Sequence, residues 1–91
     1  MTIGTDRTLE DDVRDILVFD VYVEASAEEI GLDDGLRDTL GLDSLGFVEL
    51  RAQCEQRFGV KITDADFTQV HFRSVRTVAD LVRKLRGGQQ R

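Results

Sequence analysis

Residues 40–50, LGLDSLGFVEL, set a serine between an aspartate and an apolar run, and the reading of Ser44 decides what the rest of the chain is for. Stepping about 100° per residue, Phe47, Leu50, Cys54 and Phe58 fall within one narrow arc. That spacing predicts a helix from about Asp43 to Phe58, closed by Gly59 as its C-terminal stop. The arc is the core stripe, and Cys54 within it is a small buried hydrophobe. Leu45, Val48 and Ala52 lie outside it, on a second apolar stripe bordered by Glu49 and Glu55. Two readings of that stripe stand side by side. Either the preceding loop covers Leu45 and Val48, or the strip is exposed for a partner, as an apolar patch rimmed by carboxylates should be.

Ser44 itself has three candidate roles. As a helix cap it is redundant, because Asp43 beside it fills that place well. As a hydrolytic nucleophile it lacks an oriented base, since His71 is the single histidine and no GxSxG motif is present. A phosphoester suits the position better, because the free N–H groups and positive dipole end of a helix start favour an anion there. Residue chemistry therefore ranks attachment of a phosphate-linked group above catalysis, without naming the group.

Working outward, Thr8 is a good N-cap with Asp11 in the capping-box position, and Leu9, Val13, Ile16, Leu17 and Val21 form a helical stripe. Phe19, Tyr22 and Val23 fit that stripe less cleanly. Residues 24–42 read as a long loop broken by Gly31, Gly35 and Gly41 and anchored by Ile30, Leu32, Leu36, Leu40 and Leu42. Thr63 or Asp64 is expected to cap a short helical piece before His71, with Phe67, Val70 and Phe72 packing inward. In TVADLVRKL, Thr77 reads as a cap with Asp80 completing the box, and Val78, Leu81, Val82 and Leu85 as the buried stripe. The expected fold is all-α: a small four-helix bundle of three main helices plus one short one, with a long loop between helices one and two. Its expected divisions are a flexible N-terminus (1–7), one domain (8–86) and a disordered tail (87–91).

Composition narrows the function classes. The 91 residues carry a net charge of −6, with 41% hydrophobic residues, enough for one modest core and too few for a deep catalytic cavity. Acidity argues against nucleic acid and anionic membrane surfaces, and for partners with basic docking patches. The charge is divided, with 15 acids and 5 bases in residues 1–60 against 3 and 7 in residues 61–91. A single cysteine can form no internal disulfide and, with one histidine, no zinc site. The polar N-terminus and the absence of a long apolar run lead to the expectation of a cytoplasmic protein, and a monomer is expected.

At the level of motifs, LGLDSLGFVEL and the helix after it resemble the carrier proteins of fatty-acid, polyketide and nonribosomal peptide synthesis. IGLDDGLRDTLGLDSL looks like that family's long loop, FGVKITDADF like its turn and short third helix, and TVADLVRKL like its closing helix. The resemblance implies that Ser44 carries a covalent 4'-phosphopantetheine arm derived from coenzyme A, whose thiol holds an acyl group as a thioester. Asp43 matches the aspartate beside the family's serine. Leu45, Val48, Glu49, Ala52 and Glu55 match its partner-docking face. The implied partners are a phosphopantetheinyl transferase, an acyl-loading enzyme, and a ketosynthase or other downstream enzyme, and the implied protein is no enzyme itself. Arg51, Gln53, Gln56 and Arg57 thin the acids along the helix, and Gly46 weakens its first turn by up to about 1 kcal/mol. These departures point away from general fatty-acid synthesis and toward a bacterial polyketide or related natural-product pathway. A peptidyl or aminoacyl carrier is the nearest alternative. A helical interaction adaptor with a structural Ser44 and no prosthetic group is the alternative of another class.

Overall fold

A computed structural model describes residues 7–89, so the expected flexible N-terminus falls, apart from Arg7, outside the described residues. Three helices carry the fold. α1 spans Leu9–Asp15 and continues without a break as a π-helical turn, Ile16–Asp20; α2 spans Ser44–Phe58; α3 spans Val75–Gln89. A 3-10 turn at Ala27–Glu29 punctuates the long loop, and no strand occurs among the described residues. The all-α bundle read from the sequence is therefore the architecture observed.

Each helix begins where short polar side chains can satisfy its first amides. Thr8 Oγ1 accepts from the Asp11 N–H at 3.1 Å while an Asp11 carboxylate oxygen accepts from the Thr8 N–H at 3.3 Å, the reciprocal box expected there. For α3 the cap is displaced from the expected residue. Ser74, wholly buried, precedes the helix, and its hydroxyl accepts from the Thr77 N–H at 3.3 Å. Thr77 is its partner three residues on, accepting from the Ser74 N–H at 3.0 Å. Asp80 pairs instead with Arg83 at 3.1 Å. The helix so begun is described through Gln89, three residues into the segment expected as a tail.

The π turn explains why the first stripe lost its phase. The Val21 N–H donates to the Ile16 carbonyl, five residues back, at 2.9 Å, which widens the turn and rotates everything beyond it. Val13, Ile16 and Leu17 are buried as the periodicity requires, whereas Phe19 and Tyr22 emerge into solvent. The Val23 N–H then closes on the Leu17 carbonyl at 3.0 Å, with Tyr22 in the left-handed region at φ 68°. That six-residue closure is a helix stop that glycine ordinarily occupies, and holding an L residue there costs roughly 1–2 kcal/mol.

The core joins the expected stripes: Val13, Ile16 and Leu17 of α1 and its π turn, Leu50 and Cys54 of α2, and Val78, Leu81 and Val82 of α3 are all buried. Ile30, Leu36 and Ile62 enter from the connections. The long loop is held by its backbone as well as by its apolar anchors. The Leu36 N–H donates to the Arg73 carbonyl at 2.9 Å, the Arg76 N–H to the Leu32 carbonyl at 3.0 Å, and Arg14 Nε to the Ile30 carbonyl at 2.8 Å. Arg76 adds a two-pronged pair to Asp33, at 2.7 and 3.1 Å.

Residues 63–73 differ from expectation. They form successive hydrogen-bonded turns, Phe67 N–H to the Thr63 carbonyl and Phe72 N–H to the Thr68 carbonyl, both at 3.0 Å, without merging into a helix. Thr, Asp, Phe, Val and His make up most of the stretch and favour helix weakly, so tertiary contacts choose its path. Phe72 is buried and meets Phe67 edge-on at 5.0 Å, while Arg51 lies over the Phe67 ring at 4.9 Å. Val70, expected to pack inward, is 75% exposed.

Candidate functional site

Ser44 is the first residue of α2, and its side chain is exposed. Asp43 is the N-cap, as the sequence suggested: its extended backbone turns the chain into the helix, and Oδ1 accepts from the Gly46 N–H at 2.8 Å. Ser44 is thus released from capping. The N–H groups of Ser44 and Leu45 belong to the first turn, where a helix supplies no acceptor of its own.

Gly46, which sequence reasoning counted only as a weakness, has a steric reason. A Cβ there would lie 3.0 Å from Cγ of Leu42, whose side chain is buried in the core. Glycine lets the Leu42 side chain pack tight against the first turn of α2, two residues from Ser44.

On one side of Ser44 lies an open groove of about 490 Å³. Its walls include Arg37 and Asp38 of the loop, Phe47 of α2, and Phe67, Phe72 and Arg73 of the 63–73 turns. Arg37 lies 5.4 Å from the Phe47 ring centre, which steadies a cation at the groove wall. The sequence held no signal for this grouping, since its members are separated along the chain and meet only when the turns fold back over α2. His71 is not among these groove residues. Its Nδ1 lies 3.0 Å from the Asp66 carbonyl, so the imidazole serves the turn that holds it. No cluster of potential metal ligands occurs among the described residues.

The expected docking residues divide by task. Leu45 and Val48 are 79% and 55% exposed, which decides against a loop covering them, and Ala52 continues the strip half-buried. Glu49 is exposed and accepts a hydrogen bond from Gln53 at 2.7 Å. Glu55 stands at the far edge, half-buried, and its Oε2 accepts the Ile62 N–H at 2.8 Å. The arginines that thin the acids along α2 also work internally. Arg51 donates to the Ile62 carbonyl at 2.6 and 3.0 Å and pairs with Asp64, and Arg57 pairs with Asp12 at 3.2 Å. Cys54 is wholly buried, and burial pushes its thiol up to about 12, with the Glu55 carboxylate adding to the effect.

The chain's residues 11–85 match the family model described as "Phosphopantetheine attachment site". The chain belongs to the phosphopantetheine attachment-site family. Its prosthetic group is accordingly 4'-phosphopantetheine, and an exposed serine hydroxyl at a helix start, beside an open groove carrying two arginines, suits a phosphodiester. Among similar proteins is the acyl carrier protein of Streptomyces coelicolor, 42% identical over 57 residues, or 63% of this chain and 61% of the relative. That of Rhodococcus erythropolis is 39% identical over 54 residues, 59% and 54% of the two chains. That of Chlamydia trachomatis is 34% identical over 76 residues, 84% and 90%. The matched part of this family member thus spans a little over half the length of the first two relatives and nearly all of the third.

Proposed function

We propose that this protein is an acyl carrier in which Ser44 bears the phosphopantetheine arm, holds acyl intermediates as thioesters on it, and presents them to biosynthetic enzymes. The observation that carries the reading is the division of labour between Asp43 and Ser44. Asp43 takes the capping hydrogen bond from Gly46, so the neighbouring hydroxyl is exposed with no structural duty. The helix start contributes unsatisfied N–H groups and a positive dipole end that stabilise the diester charge. The chain's own residues then hold the arm's root, keep it out of the core, and surround it with a surface that enzymes can grip. The protein performs no bond chemistry of its own in this reading.

Leu45, Val48, Ala52 and Glu49 form the docking face, with Glu55 at its edge, and they suit partners offering apolar contacts ringed by basic side chains. Those partners are a phosphopantetheinyl transferase, an acyl-loading enzyme, and a ketosynthase or comparable downstream enzyme. The sparse acidity of α2 and the arginine-rich last third support service in a bacterial polyketide or related natural-product pathway in the cytoplasm. No helix among the described residues is long and apolar enough to cross a membrane.

Intact-mass spectrometry after incubation with coenzyme A and a broad-specificity phosphopantetheinyl transferase tests the reading. The wild-type chain should gain one phosphopantetheine and Ser44→Ala none, with its helix content kept. A folded wild-type chain that gains nothing would favour an interaction adaptor in which Ser44 is structural.

A further inference from the structure

Two anomalies coincide at the end of the π turn. Tyr22 occupies a left-handed stop at φ 68°, a position that Gly41 and Gly59 fill elsewhere in the chain, and the residue is 76% exposed. A tyrosine there is strained and gains no burial in return, so the fold alone gives no reason for it. Phe19, one turn earlier, is 66% exposed.

Tyr22 does not stand apart from the site. It shares one shallow concavity with Leu45, Gly46 and Val48 of α2, and Asp43, the neighbour of Ser44, lines the same concavity. Asp20, Asp43 and Glu49 supply its charge, and no arginine or lysine lines it. Two arginines of the basic last third pair with acids elsewhere: Arg83 with Glu10 and Arg76 with Asp33, each at 2.7 Å. Among the described residues none of Asp20, Asp43 and Glu49 forms an ion pair. The result is an apolar, partly aromatic patch with an uncompensated negative rim beside the Ser44 helix start, meeting the groove at Val48.

We propose that Tyr22, with Leu45 and Val48, forms the contact for the transferase that modifies Ser44, the tyrosine entering an apolar pocket ringed by lysine or arginine on that enzyme. The inference rests on Ser44 as the attachment point, because an enzyme reaching that hydroxyl must cover the residues that flank it. It extends the docking face from α2 across to the stop that follows the π turn. The left-handed stop projects the ring away from the core, whereas a glycine would let the chain turn the same way and offer nothing to bind. Aromatic side chains in such a position are the usual anchors of protein interfaces.

Replacing the tyrosine by glycine separates stability from recognition. Tyr22→Gly should raise the midpoint of thermal unfolding by about 3–6 °C, since strain is relieved and the exposed ring gives up little packing. The same variant should lower kcat/KM for phosphopantetheine transfer by about fivefold or more, chiefly through KM. Tyr22→Asn, which also tolerates the left-handed region, should behave alike and guards against an effect peculiar to glycine. A raised midpoint with kcat/KM unchanged within about twofold would overturn the proposal, and so would a lowered midpoint, which would make the ring a structural anchor. Failure of the wild-type chain to accept the group at all would instead remove the attachment reading on which the proposal stands.

Discussion

Glu55 Oε2 accepts the Ile62 backbone N–H at 2.8 Å, tying the last turn of α2 to the segment that follows it. From the opposite side Arg51 donates twice to the carbonyl of the same residue, so both polar groups of Ile62 are satisfied while its side chain is buried. The turns that wall the groove beside Ser44 hang from this clamp. Glu55→Ala should therefore cost about 1–2 kcal/mol of stability, read from urea unfolding. Glu49→Lys should change stability by no more than about 0.5 kcal/mol, since its carboxylate is exposed and unpaired with any cation among the described residues. The two variants should order oppositely in transfer kinetics, with Glu49→Lys the slower. Equal stability of the two would show that the Ile62 clamp carries little energy.

Gly46→Ala sets two effects against each other. Helix propensity gains up to about 1 kcal/mol, whereas the new Cβ meets Leu42 Cγ at 3.0 Å with that side chain packed in the core. Overpacking a well-filled site costs about 1–3 kcal/mol, so the net effect should be a lower unfolding midpoint in a circular-dichroism melt. An increase would mean that Leu42 can move aside.

Cys54 should resist thiol reagents at pH 8 in the native state and react freely once urea unfolds the chain. Its thiol is raised to about 12 by burial, so the neutral form is the one the fold stabilises. For an acid whose value is raised on folding, the stability is fully present below the unfolded thiol range near pH ~8.5 and is lost as pH climbs toward the folded value. Cys54→Ala should flatten the part of that alkaline decline that the thiol causes. An unchanged slope would assign the decline to other groups.

Glu10 and Arg83 join α1 to α3 at 2.7 Å, and the Arg83 hydrogen bond holds the Glu10 carboxyl below its ordinary value. A lowered carboxylate stabilises the fold above the unfolded value near pH ~4.3 and loses that contribution as pH falls through the folded one. The pair is partly exposed, so Arg83→Gln should cost at most about 1 kcal/mol at neutral pH and progressively less as the Glu10 carboxyl is protonated in acid, checked by unfolding across an acid pH series. A cost that persisted undiminished in acid would show that Arg83 acts through packing.

Much of this was legible without any knowledge of tertiary packing. The arc of Phe47, Leu50, Cys54 and Phe58, the Thr8 box and the Gly59 stop lie within single helices, where spacing alone assigns the buried face. Asp43 and Ser44 were readable for the same reason, because capping is decided within four residues. Cap chemistry misled at Thr77, where the hydroxyl answers Ser74 instead of starting the helix, since either residue can begin that run and only the packing of Phe72 and Val75 selects between them. It misled again at residues 63–73, whose path follows the Phe67 ring beneath Arg51.

By itself, then, the sequence determined the helix faces, the cap that frees Ser44, and the second apolar strip beginning at Leu45, because each depends on neighbours a few residues apart. Tertiary structure alone decided that this strip is exposed, and it alone assembled the groove of Arg37, Phe67 and Arg73 beside Ser44. It also set the internal duties of Glu55 and Arg51 and the emergence of Tyr22 next to α2. Those depend on a widened π turn and on backbone hydrogen bonds between distant segments. Such pairings have no period along the chain, and only their joint geometry makes them favourable.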